Sequence, residues 1–561
     1  MTDPYKRPAP KPGRDAAFHY LINHPANMTR KSPLYAIISG LTAIAILFAA
    51  NSSEAKKSND LVILHTNDTH SLIDPNADGE GGVLQRKAII DSVRKAEKNV
   101  LLVDAGDVVQ GTLYFKFFKG DVEYPLMNMM DYDIQILGNH EFDNGLDDMA
   151  KYYQQLKADR LSANYDFSGT VMEGLLKPYT IKNVGGKKIG FIGINIDPAS
   201  LISNQNYKGL KFSDPIATAN RLASMLKNEK KVDLVVAVTH IGARKENEKP
   251  TDYELATASK DIDIIIGGHS HTIIPPGNAS EEYPSVVKNA EGRPVMIAQT
   301  GRYGRLLGYI KINLDALGST TPADFDQQLI PVTDRFPASA LDKKMDAFIA
   351  PYRDKLAAVD SHVIARSERD MDANARTGAY VNWTADFAKW YGDLKSDSLR
   401  RSGTDIPRVD MGMMNVGGIR HHMKQGDVTE GQMLATFPFA NHMVILRIKG
   451  SDFADAMAIA AAKGGEAISD DVRVLTDGEG GVERILINGE PLDPERDYYL
   501  STIDYLAWGN DDFTPLAKGE IVWRDEPEMA AAMMRYLKTL TDAGLSVDGD
   551  PRPRFIKAVR L

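Results

Sequence analysis

The sequence predicts an α/β protein, and three observations support this prediction. Short runs of Val, Ile and Leu without polar alternation recur through the first half of the 561-residue chain, and such runs are typical of strands buried on both faces. Segments in which apolar residues follow helical spacing separate these strands. Several strands end in polar clusters, at the carboxyl end where open α/β sheets bind their ligands. We therefore expect these clusters to meet at the edge of one sheet.

The first half of the chain alternates predicted strands and helices. The strands that end in polar clusters are Leu61–Leu64, Val100–Val103, Ile134–Leu137, Leu234–Val238 and Ile262–Ile266. Further strands are predicted at Lys188–Ile194, Pro294–Ala298 and Leu307–Leu314. Helices are predicted at Gly82–Lys98, Asp147–Leu156 and Pro215–Leu226.

The second half follows a long amphipathic segment, Pro337–Val359, whose apolar residues form one helical stripe. Beyond it, helices are predicted at Ala379–Trp390 and Ser451–Ala462, and strands at Met443–Lys449, Val472–Thr476 and Val482–Ile487. A chain of this length exceeds what one hydrophobic core supports. We therefore predict domains at residues 60–335 and 362–561, joined by a linker helix at residues 336–361.

The composition is that of a soluble globular protein, with 43% hydrophobic and 25% charged residues. The net charge of −10 argues against binding to a nucleic-acid polymer, which needs clustered Lys and Arg. The chain has no Cys, which excludes disulfides and thiolate metal sites. It leaves the redox compartment open.

The N-terminus, residues 1–59, resembles a secretory signal peptide with a long leader. Leu34–Ala50 is apolar, follows two basic residues and precedes a Ser53-x-Ala55 sequence that suits signal peptidase. This predicts export to the periplasm or the cell surface. The alternative is an uncleaved membrane anchor, because residues 34–50 nearly span a bilayer. Met28 begins a segment that would make a normal signal peptide by itself, so a second hypothesis places the start of translation there.

Five polar clusters contain the ligands of a metal centre. They are Asp68–His70 (DTH), Asp104–Asp107 (DAGD), Gly138–Glu141 (GNHE), His240 and Gly267–His271 (GGHSH). Alternate residues of an extended segment point the same way, so Asp68 and His70 can share one ion. Mixed nitrogen and oxygen ligands suit Zn²⁺, Mn²⁺, Fe or Co.

Each of these clusters alone has a structural explanation. An isolated Asp-x-His is usually turn chemistry, and Gly-Asn-His-Glu is compatible with a turn capped by Asn139. A lone histidine at a strand end, such as His65, is more often a hydrogen-bonded structural residue. All five clusters together, at successive strand ends, predict a site for more than one divalent metal ion.

The order of the clusters resembles that of the calcineurin-like metallophosphoesterase superfamily. The strings Leu64–His70 (LHTNDTH) and Gly138–Asp143 (GNHEFD) are similar to the 5′-nucleotidase family, which includes bacterial periplasmic 5′-nucleotidase/UDP-sugar hydrolases and animal ecto-5′-nucleotidase. The resemblance extends from Asp60 onward. It implies an α/β protein with an N-terminal four-layer α/β-β-α metallophosphoesterase sandwich, a linker helix and a C-terminal α/β nucleotidase domain.

The resemblance also implies two divalent metal ions (Zn, Mn, Co or similar) and a catalytic pair. One ion would take Asp68, His70, Asp107 and His271, and the other would take Asp107, Asn139, His240 and His269. Some relatives have Gln or Asn in place of His271. The family's catalytic pair corresponds to His140 and Asp143, where the carboxylate holds the imidazole protonated beside the charge that gathers on the phosphoryl group.

Three motifs in the second half resemble the family's nucleoside-binding site. They are Asn415–Arg420 (NVGGIR), Phe437–Asn441 (FPFAN) and Tyr505–Phe513 (YLAWGNDDF). The residues that the resemblance implies in substrate binding are Arg376, Asn415, Gly417, Arg420, Phe439, Tyr505 and Asp511.

This chain departs from the family at the third motif. Tyr505 stands where Phe is usual, and its hydroxyl can add or forbid contacts. Residues 509–513 read Gly-Asn-Asp-Asp-Phe where Gly-Gly-Asp-Gly-Phe is usual, and fewer glycines can stiffen or reshape the loop. Arg376 matches only loosely, with a solvated arginine at a helix start as the alternative. For Phe439 and Tyr505 the alternative is core packing.

The function that these motifs imply is a 5′-nucleotidase acting on nucleoside 5′-monophosphates, with UDP-sugars or other nucleotides as further substrates. One alternative is a 2′,3′-cyclic-nucleotide 2′-phosphodiesterase with 3′-nucleotidase activity. The other, of a different class, is a nucleotide-binding surface protein without catalysis. The expected partner is a small-molecule nucleotide, and membrane contact is expected only through an uncleaved N-terminal segment.

Overall fold

The computed structural model describes residues 59–557, apart from 77, 200, 246–248, 374, 405 and 478–479. The predicted leader, with its apolar segment Leu34–Ala50 and the second start at Met28, lies outside this range. Within the range, we find no helix that is both long enough and apolar enough to cross a bilayer.

The first half of the described chain folds into alternating strands and helices. Its strands are β1 (Asp60–Thr66), β2 (Asn99–Asp104), β3 (Ile134–Ile136), β4 (Asp159–Leu161), β5 (Tyr165–Asp166), β6 (Tyr179–Val184), β7 (Lys187–Asn195), β8 (Lys211–Phe212), β9 (Leu234–His240), β10 (Ile264–Ile266), β11 (Val286–Lys288), β12 (Pro294–Ala298), β13 (Leu306–Asn313) and β14 (Asp326–Pro331). Its helices are α1 (Val83–Ala96), α2 (Leu113–Phe118), α3 (Glu123–Met130), α4 (Gly145–Tyr153), α5 (Pro215–Asn228) and α6 (Asp252–Ala258).

These strands form two six-stranded sheets, with the orders β14-β13-β1-β2-β3-β4 and β11-β12-β10-β9-β7-β6. Alternate residues of β1 face different layers. Leu61 and Ile63 pack between the sheets together with Phe191 of β7, whereas Val62 and Leu64 pack on the side of α1. Helices α5 and α6 cover the outer face of the second sheet. The predicted four-layer sandwich is confirmed, and the double cover explains why β1 lacks polar alternation.

The two sheets correct one expectation. The strands β1, β2 and β3, which precede the first three polar clusters, belong to the first sheet, whereas β9 and β10 belong to the second. The clusters therefore do not meet at the edge of one sheet, as expected, but at adjoining edges of two. Apolar runs have the same pattern whether a helix or a second sheet covers them, so periodicity could not distinguish these cases.

The second half forms a separate set of sheets and helices. Its strands are β15 (Val363–Ser367), β16 (Met411–Met414), β17 (Gly426–Thr429), β18 (His442–Lys449), β19 (Ala467–Ile468), β20 (Val472–Thr476), β21 (Val482–Ile487), β22 (Glu490–Pro491), β23 (Asp497–Ile503), β24 (Glu520–Glu528) and β25 (Phe555–Lys557). Its helices, including the one before it, are α7 (Lys343–Asp360), α8 (Ala379–Arg401), α9 (Glu430–Thr436), α10 (Gly450–Ala462), α11 (Asp504–Ala507) and α12 (Met529–Asp542). Helix α8 packs on a five-stranded sheet with the order β19-β16-β23-β18-β24.

The long helix between the halves begins later than its apolar stripe predicts. It starts at Lys343 rather than at Pro337, because the Asp342 side chain accepts hydrogen bonds from the backbone N–H groups of Lys344 and Met345. A separate 3₁₀ turn occupies residues 338–340. Helix α8 instead continues to Arg401, beyond the predicted end at Trp390.

His65 is the buried histidine of β1, and its pH behaviour is testable. The ring packs on Gly308 of β13, and a Cβ added to Gly308 would lie 2.0 Å from His65 Nε2. Burial lowers the pKa of His65 to about 3. Between about pH 3 and 6.5 the unfolded chain therefore binds one more proton than the folded chain at this site, so stability falls as the pH drops through that window. We expect a decrease of about 2 kcal/mol from this residue between pH 7 and 5.

Urea unfolding at pH 7 and pH 5 measures this effect. The wild type is compared with His65→Leu, which cannot titrate there. The difference between the two pH values should be smaller in the variant by that amount. The same pH dependence in both proteins would show that His65 does not resist protonation.

Candidate metal centre

The backbone at the polar clusters takes a conformation that L-residues rarely adopt. Left-handed φ angles of 45° to 73° occur at Asp68, His70, Asp107, His269 and His271. Such conformations cost of order 1–3 kcal/mol each and persist only where the surroundings fix them. Here they are fixed by hydrogen bonds between loops, such as those from the Asp68 N–H to Gly106 O (2.9 Å) and from the His70 N–H to Asp107 O (3.0 Å). Five of the seven predicted metal ligands are therefore held in a strained backbone conformation.

One group of donors consists of Asp68, His70 and His271. The Nε2 atoms of the two histidines lie 2.9 Å apart, and Nε2 of His271 lies 3.5 Å from Asp68 Oδ1. Asp68 and His70 are fully buried. A second group consists of Asp68, Asp107 and His240, with His240 Nε2 3.1 Å from Asp107 Oδ2. Asp68 is thus common to both groups.

The remaining two predicted ligands adjoin these groups. His269 Nδ1 lies 2.9 Å from Asn139 Oδ1, and the His269 N–H donates to Asp68 Oδ2 at 3.0 Å. The structure therefore brings all seven predicted ligands into one cluster. His240 Nδ1 donates to Ala105 O at 2.7 Å, which leaves Nε2 facing the carboxylates as a ligand atom.

The electrostatics of the cluster favour positive charge. Burial acts to lower the pKa of His240, but the carboxylates of Asp107 and Asp68 outweigh it and raise that pKa to about 10. Burial lowers the pKa of His70 well below its usual value, which keeps this imidazole neutral and able to bind a metal. Buried carboxylates combined with imidazoles are a donor set that fits divalent metal ions. At His240, a metal ion would take the place of the proton that the carboxylates attract to Nε2.

Close backbone approach explains the glycines of two motifs. A Cβ on Gly138 would lie 2.1 Å from Asp107 Oδ1, and a Cβ on Gly268 would lie 2.7 Å from His240 Nδ1. Neither position can accept a side chain without displacing a predicted ligand. The glycines therefore allow neighbouring strands within each sheet to place their ligands side by side.

Glu141 is a buried residue of the site whose role sequence reasoning missed. Its carboxylate accepts hydrogen bonds from the backbone N–H groups of Gly138 (2.6 Å), Val108 (2.9 Å) and Asp107 (3.1 Å). It thereby joins the loop that carries Asp107 to the loop that carries Asn139. Its place in the Gly138–Glu141 motif was the available signal, but the pattern does not reveal that the side chain points at backbone.

The predicted catalytic pair lies beside the metal ligands. His140 begins a 3₁₀ turn at residues 140–142 and Asp143 follows it, with His140 Nδ1 3.0 Å from Asp143 Oδ2. Burial acts to lower the pKa of His140, but the carboxylates of Asp143 and Asp107 outweigh it and the pKa is raised. The His140 ring centroid lies 5.4 Å from that of His70 and 5.9 Å from that of Phe439.

A cleft of about 450 Å³ joins this site to the second half of the chain. Six of the seven predicted substrate-binding residues line it: Asn415, Gly417, Arg420, Phe439, Tyr505 and Asp511. The guanidinium of Arg420 lies 5.8 Å from the centre of the Phe439 ring and donates to Gln110 Oε1 of the first half. Lys116, which also lines the cleft, donates to Glu528 and to Pro438 O. Both halves therefore build the cleft walls.

Arg376 is the exception. It is absent from the cleft lining as far as the chain is described, its side chain is half exposed, and its Nη1 lies 3.7 Å from Glu466 Oε2. Glu466 is a buried acid for which the motifs contain no signal. It accepts a hydrogen bond from the Val416 N–H, and burial is the main cause that raises its pKa to about 7. Through this hydrogen bond the buried Glu466 holds the backbone of the Asn415–Arg420 turn in place.

The loop that lacks two of the usual glycines keeps its left-handed backbone. Asp511 has a φ of 53° and Asp512 has a φ of 65°, a region that Asp tolerates better than most residues. The Nζ of Lys463 donates to Asp511 O and lies 3.1 Å from Asp512 Oδ2. Of the two aromatic residues, Tyr505 packs partly against the hydrophobic core of the second half, and Phe439 is not among the residues of that core in the described chain.

The fold and the site together define a calcineurin-like phosphoesterase. The sequence model of that family, "Calcineurin-like phosphoesterase", matches residues 61–272. A second model, "5'-nucleotidase, C-terminal domain", matches residues 363–518. The chain belongs to the 5′-nucleotidase family, as the motifs predict. Proteins of this family use two divalent metal ions, and the two donor groups found here confirm the predicted cofactor class.

Relatives match over most of the chain. The snake venom 5′-nucleotidase of Crotalus adamanteus is 29% identical over 533 residues, 85% of each chain. Protein UshA of Yersinia enterocolitica is 27% identical over 84% of this chain and 90% of its own length. The crystal structure of a 5′-nucleotidase precursor from Thermus thermophilus has a TM-score of 0.76 and 29% identity, and the match covers 90% of this chain and all of that one.

Replacing Glu141 tests its role as a support of the metal loops. Glu141→Ala leaves three buried backbone N–H groups without their acceptor, and each costs about 1–3 kcal/mol. We expect a loss of at least about 3 kcal/mol in urea unfolding and weaker Mn²⁺ binding by calorimetry. Glu229→Ala, at an exposed position, is the matched control. Wild-type stability and Mn²⁺ affinity in Glu141→Ala would contradict the assignment.

Removing metal ions tests the donor cluster without reference to activity. Ions that bind only the folded chain stabilise it, by about 4 kcal/mol when their concentration is a thousand times Kd. We expect the melting temperature to fall after EDTA treatment and dialysis, and to recover on adding Mn²⁺ or Zn²⁺. Asp107→Asn should show little of this recovery. Equal melting temperatures with and without the chelator would count against the site.

Proposed function

We propose that this protein is a 5′-nucleotidase that converts nucleoside 5′-monophosphates into nucleoside and inorganic phosphate. One observation carries the proposal: metal ligands, the His140–Asp143 pair and the aromatic Phe439 and Tyr505 share one cleft. The centres of the His140 and Phe439 rings lie 5.9 Å apart. A ligand that carries its phosphate at one end and its base at the other can therefore reach both rings. The names of the relatives from Crotalus adamanteus and Thermus thermophilus support the same reaction.

The chemistry at the phosphate end follows from the donor set and from His140. Asp68, His70, Asp107, Asn139, His240, His269 and His271 would hold two divalent cations, which supply an activated water and clamp the phosphate. The water oxygen bonds to phosphorus, the P–O5′ bond breaks, and one of the water protons passes to the 5′ oxygen of the leaving nucleoside. Asp143 keeps the His140 imidazole oriented and charged, so that it stabilises the negative charge gathering on the phosphoryl oxygens. Arg420, which lines the same cleft, adds a further positive charge that can meet the phosphate.

The nucleoside end of the cleft selects the substrate class. A base between Phe439 and Tyr505 gains about 1–3 kcal/mol from stacking. The Asp511 carboxylate can only accept hydrogen bonds, so it suits a ribose with free hydroxyls. A 2′,3′-cyclic phosphate offers no donor there and brings negative charge instead. This favours 5′-monophosphates over the cyclic alternative.

We also propose that residues 60–335 and 362–561 act as separate domains that rotate about a linker at residues 336–361. The contacts Lys116–Glu528 and Arg420–Gln110 would then break when the cleft opens.

We further propose that the protein is exported. Export is supported by the apolar N-terminal segment and by a relative found in venom.

The catalytic role of His140 is testable by substitution. In His140→Ala we expect kcat for phosphate release from AMP with Mn²⁺ to fall about 10²- to 10³-fold, because the charge that stabilises the transition state is lost. Affinity for AMP by calorimetry should change by less than about threefold. His362→Ala, at an exposed site, should keep full activity.

The same assay distinguishes the alternatives. Faster release from 2′,3′-cyclic AMP than from AMP would favour the phosphodiesterase. A wild type that binds nucleotides and turns over none of them would favour a nucleotide-binding surface protein.

A further inference from the structure

The Asp511 carboxylate is held at both oxygens before any ligand arrives. The Tyr505 hydroxyl donates to Oδ1 at 2.9 Å, and Asn415 Nδ2 donates to Oδ2 at 2.9 Å. Below the carboxylate, Lys463 binds the Asp511 carbonyl and the Asp512 side chain. The carboxylate therefore has one orientation, whereas a free Asp side chain has several.

The Tyr505 hydroxyl has one hydrogen and two acceptors near it. Asp511 Oδ1 lies at 2.9 Å and Leu201 O at 3.4 Å. The shorter distance and the negative charge both assign the hydrogen to Asp511. Burial raises the pKa of the Tyr505 hydroxyl well above its usual value, so the hydrogen is retained at working pH. A Phe at this position would keep the stacking ring and lose this bond.

The carboxylate keeps acceptor capacity on the cleft side. An ionised carboxylate has about four lone-pair sites, and the two donors occupy one on each oxygen. Asp511 lines the cleft, and a Cβ on Gly417 would lie 3.8 Å from its Oδ2, so that side of Oδ2 has little steric cover. The two oxygens of one fixed carboxylate can accept from two neighbouring hydroxyl groups at once. A vicinal diol has that chemistry, and the ribose of a nucleotide carries one.

We propose that the Tyr505 hydroxyl is a specificity-determining group that fixes Asp511 for a ribose diol, so that the protein favours ribonucleotides over 2′-deoxyribonucleotides. The proposal rests on the proposed 5′-nucleotidase function. Tyr505 acts here through Asp511, as a positioning residue, in addition to stacking on the base. Its contribution falls on binding of the sugar and not on the chemistry at phosphorus.

Tyr505→Phe tests this proposal, because it removes the hydroxyl and keeps the ring. With AMP we expect KM to rise about tenfold, the loss of one hydrogen bond to a charged group, with kcat within about twofold. With 2′-deoxy-AMP, which offers Asp511 one hydroxyl instead of two, KM should rise less than about threefold. The preference for AMP over 2′-deoxy-AMP in kcat/KM should therefore fall. A general structural defect would weaken both substrates alike.

Two comparisons complete the experiment. Tyr505→Leu, which also loses the ring, should weaken both substrates further, and Tyr283→Phe, outside the cleft, should match the wild type. Calorimetry with adenosine and 2′-deoxyadenosine repeats the comparison without turnover, so a wild type inactive on AMP would reject the proposed reaction and still test Tyr505. The same preference ratio in wild type and Tyr505→Phe, by kinetics or by binding, overturns the proposal.

Discussion

The first half of the chain must compensate the negative charge of two buried carboxylates, those of Asp68 and Asp107. Removing an ionised carboxylate from water costs several kcal/mol unless opposite charge or hydrogen bonds compensate it. The compensation comes from imidazoles and from backbone N–H groups gathered around the pair. Three features bring those groups within reach of the carboxylates. They are the left-handed backbone, the glycines at which a Cβ would clash, and the Glu141 carboxylate. The strain at this place follows from the charge at its centre.

The two-sheet architecture explains how so many ligands converge. A single sheet spaces neighbouring strand ends about 4.8 Å apart in a row, so distant strands cannot share one ion. Facing two sheets across an apolar layer places the ends of β1 and β2 opposite those of β9 and β10. His240 from one sheet then reaches Asp107 from the other at 3.1 Å. The apolar layer thereby determines the distance between ligands.

The sequence was sufficient for the fold class and for the side chains that meet in the cluster, because both depend on local pattern. Strand ends carrying Asp, His and Asn are visible as letters, and so are the apolar runs before them. It was insufficient wherever a residue acts through a distant partner. Glu141 binds backbone of another loop, and Glu466 lies under a turn that it does not adjoin in sequence. The late start of α7 has a local cause, the Asp342 cap, which the apolar stripe does not reveal. Arg376 shows the reverse: a loose motif match did not place it in the cleft.

Lys463 has a consequence beyond local geometry. At Asp512, where the family motif implies glycine, this chain has an aspartate tied to a lysine, and both side chains are partly open to solvent. Dissolved ions screen a pair of that kind over distances of about 8–10 Å at physiological ionic strength. Glycine is indifferent to salt, whereas this tie loosens as salt rises. Added salt therefore screens the Lys463–Asp512 pair more strongly than it screens the contacts among the buried ligands at the other end of the cleft.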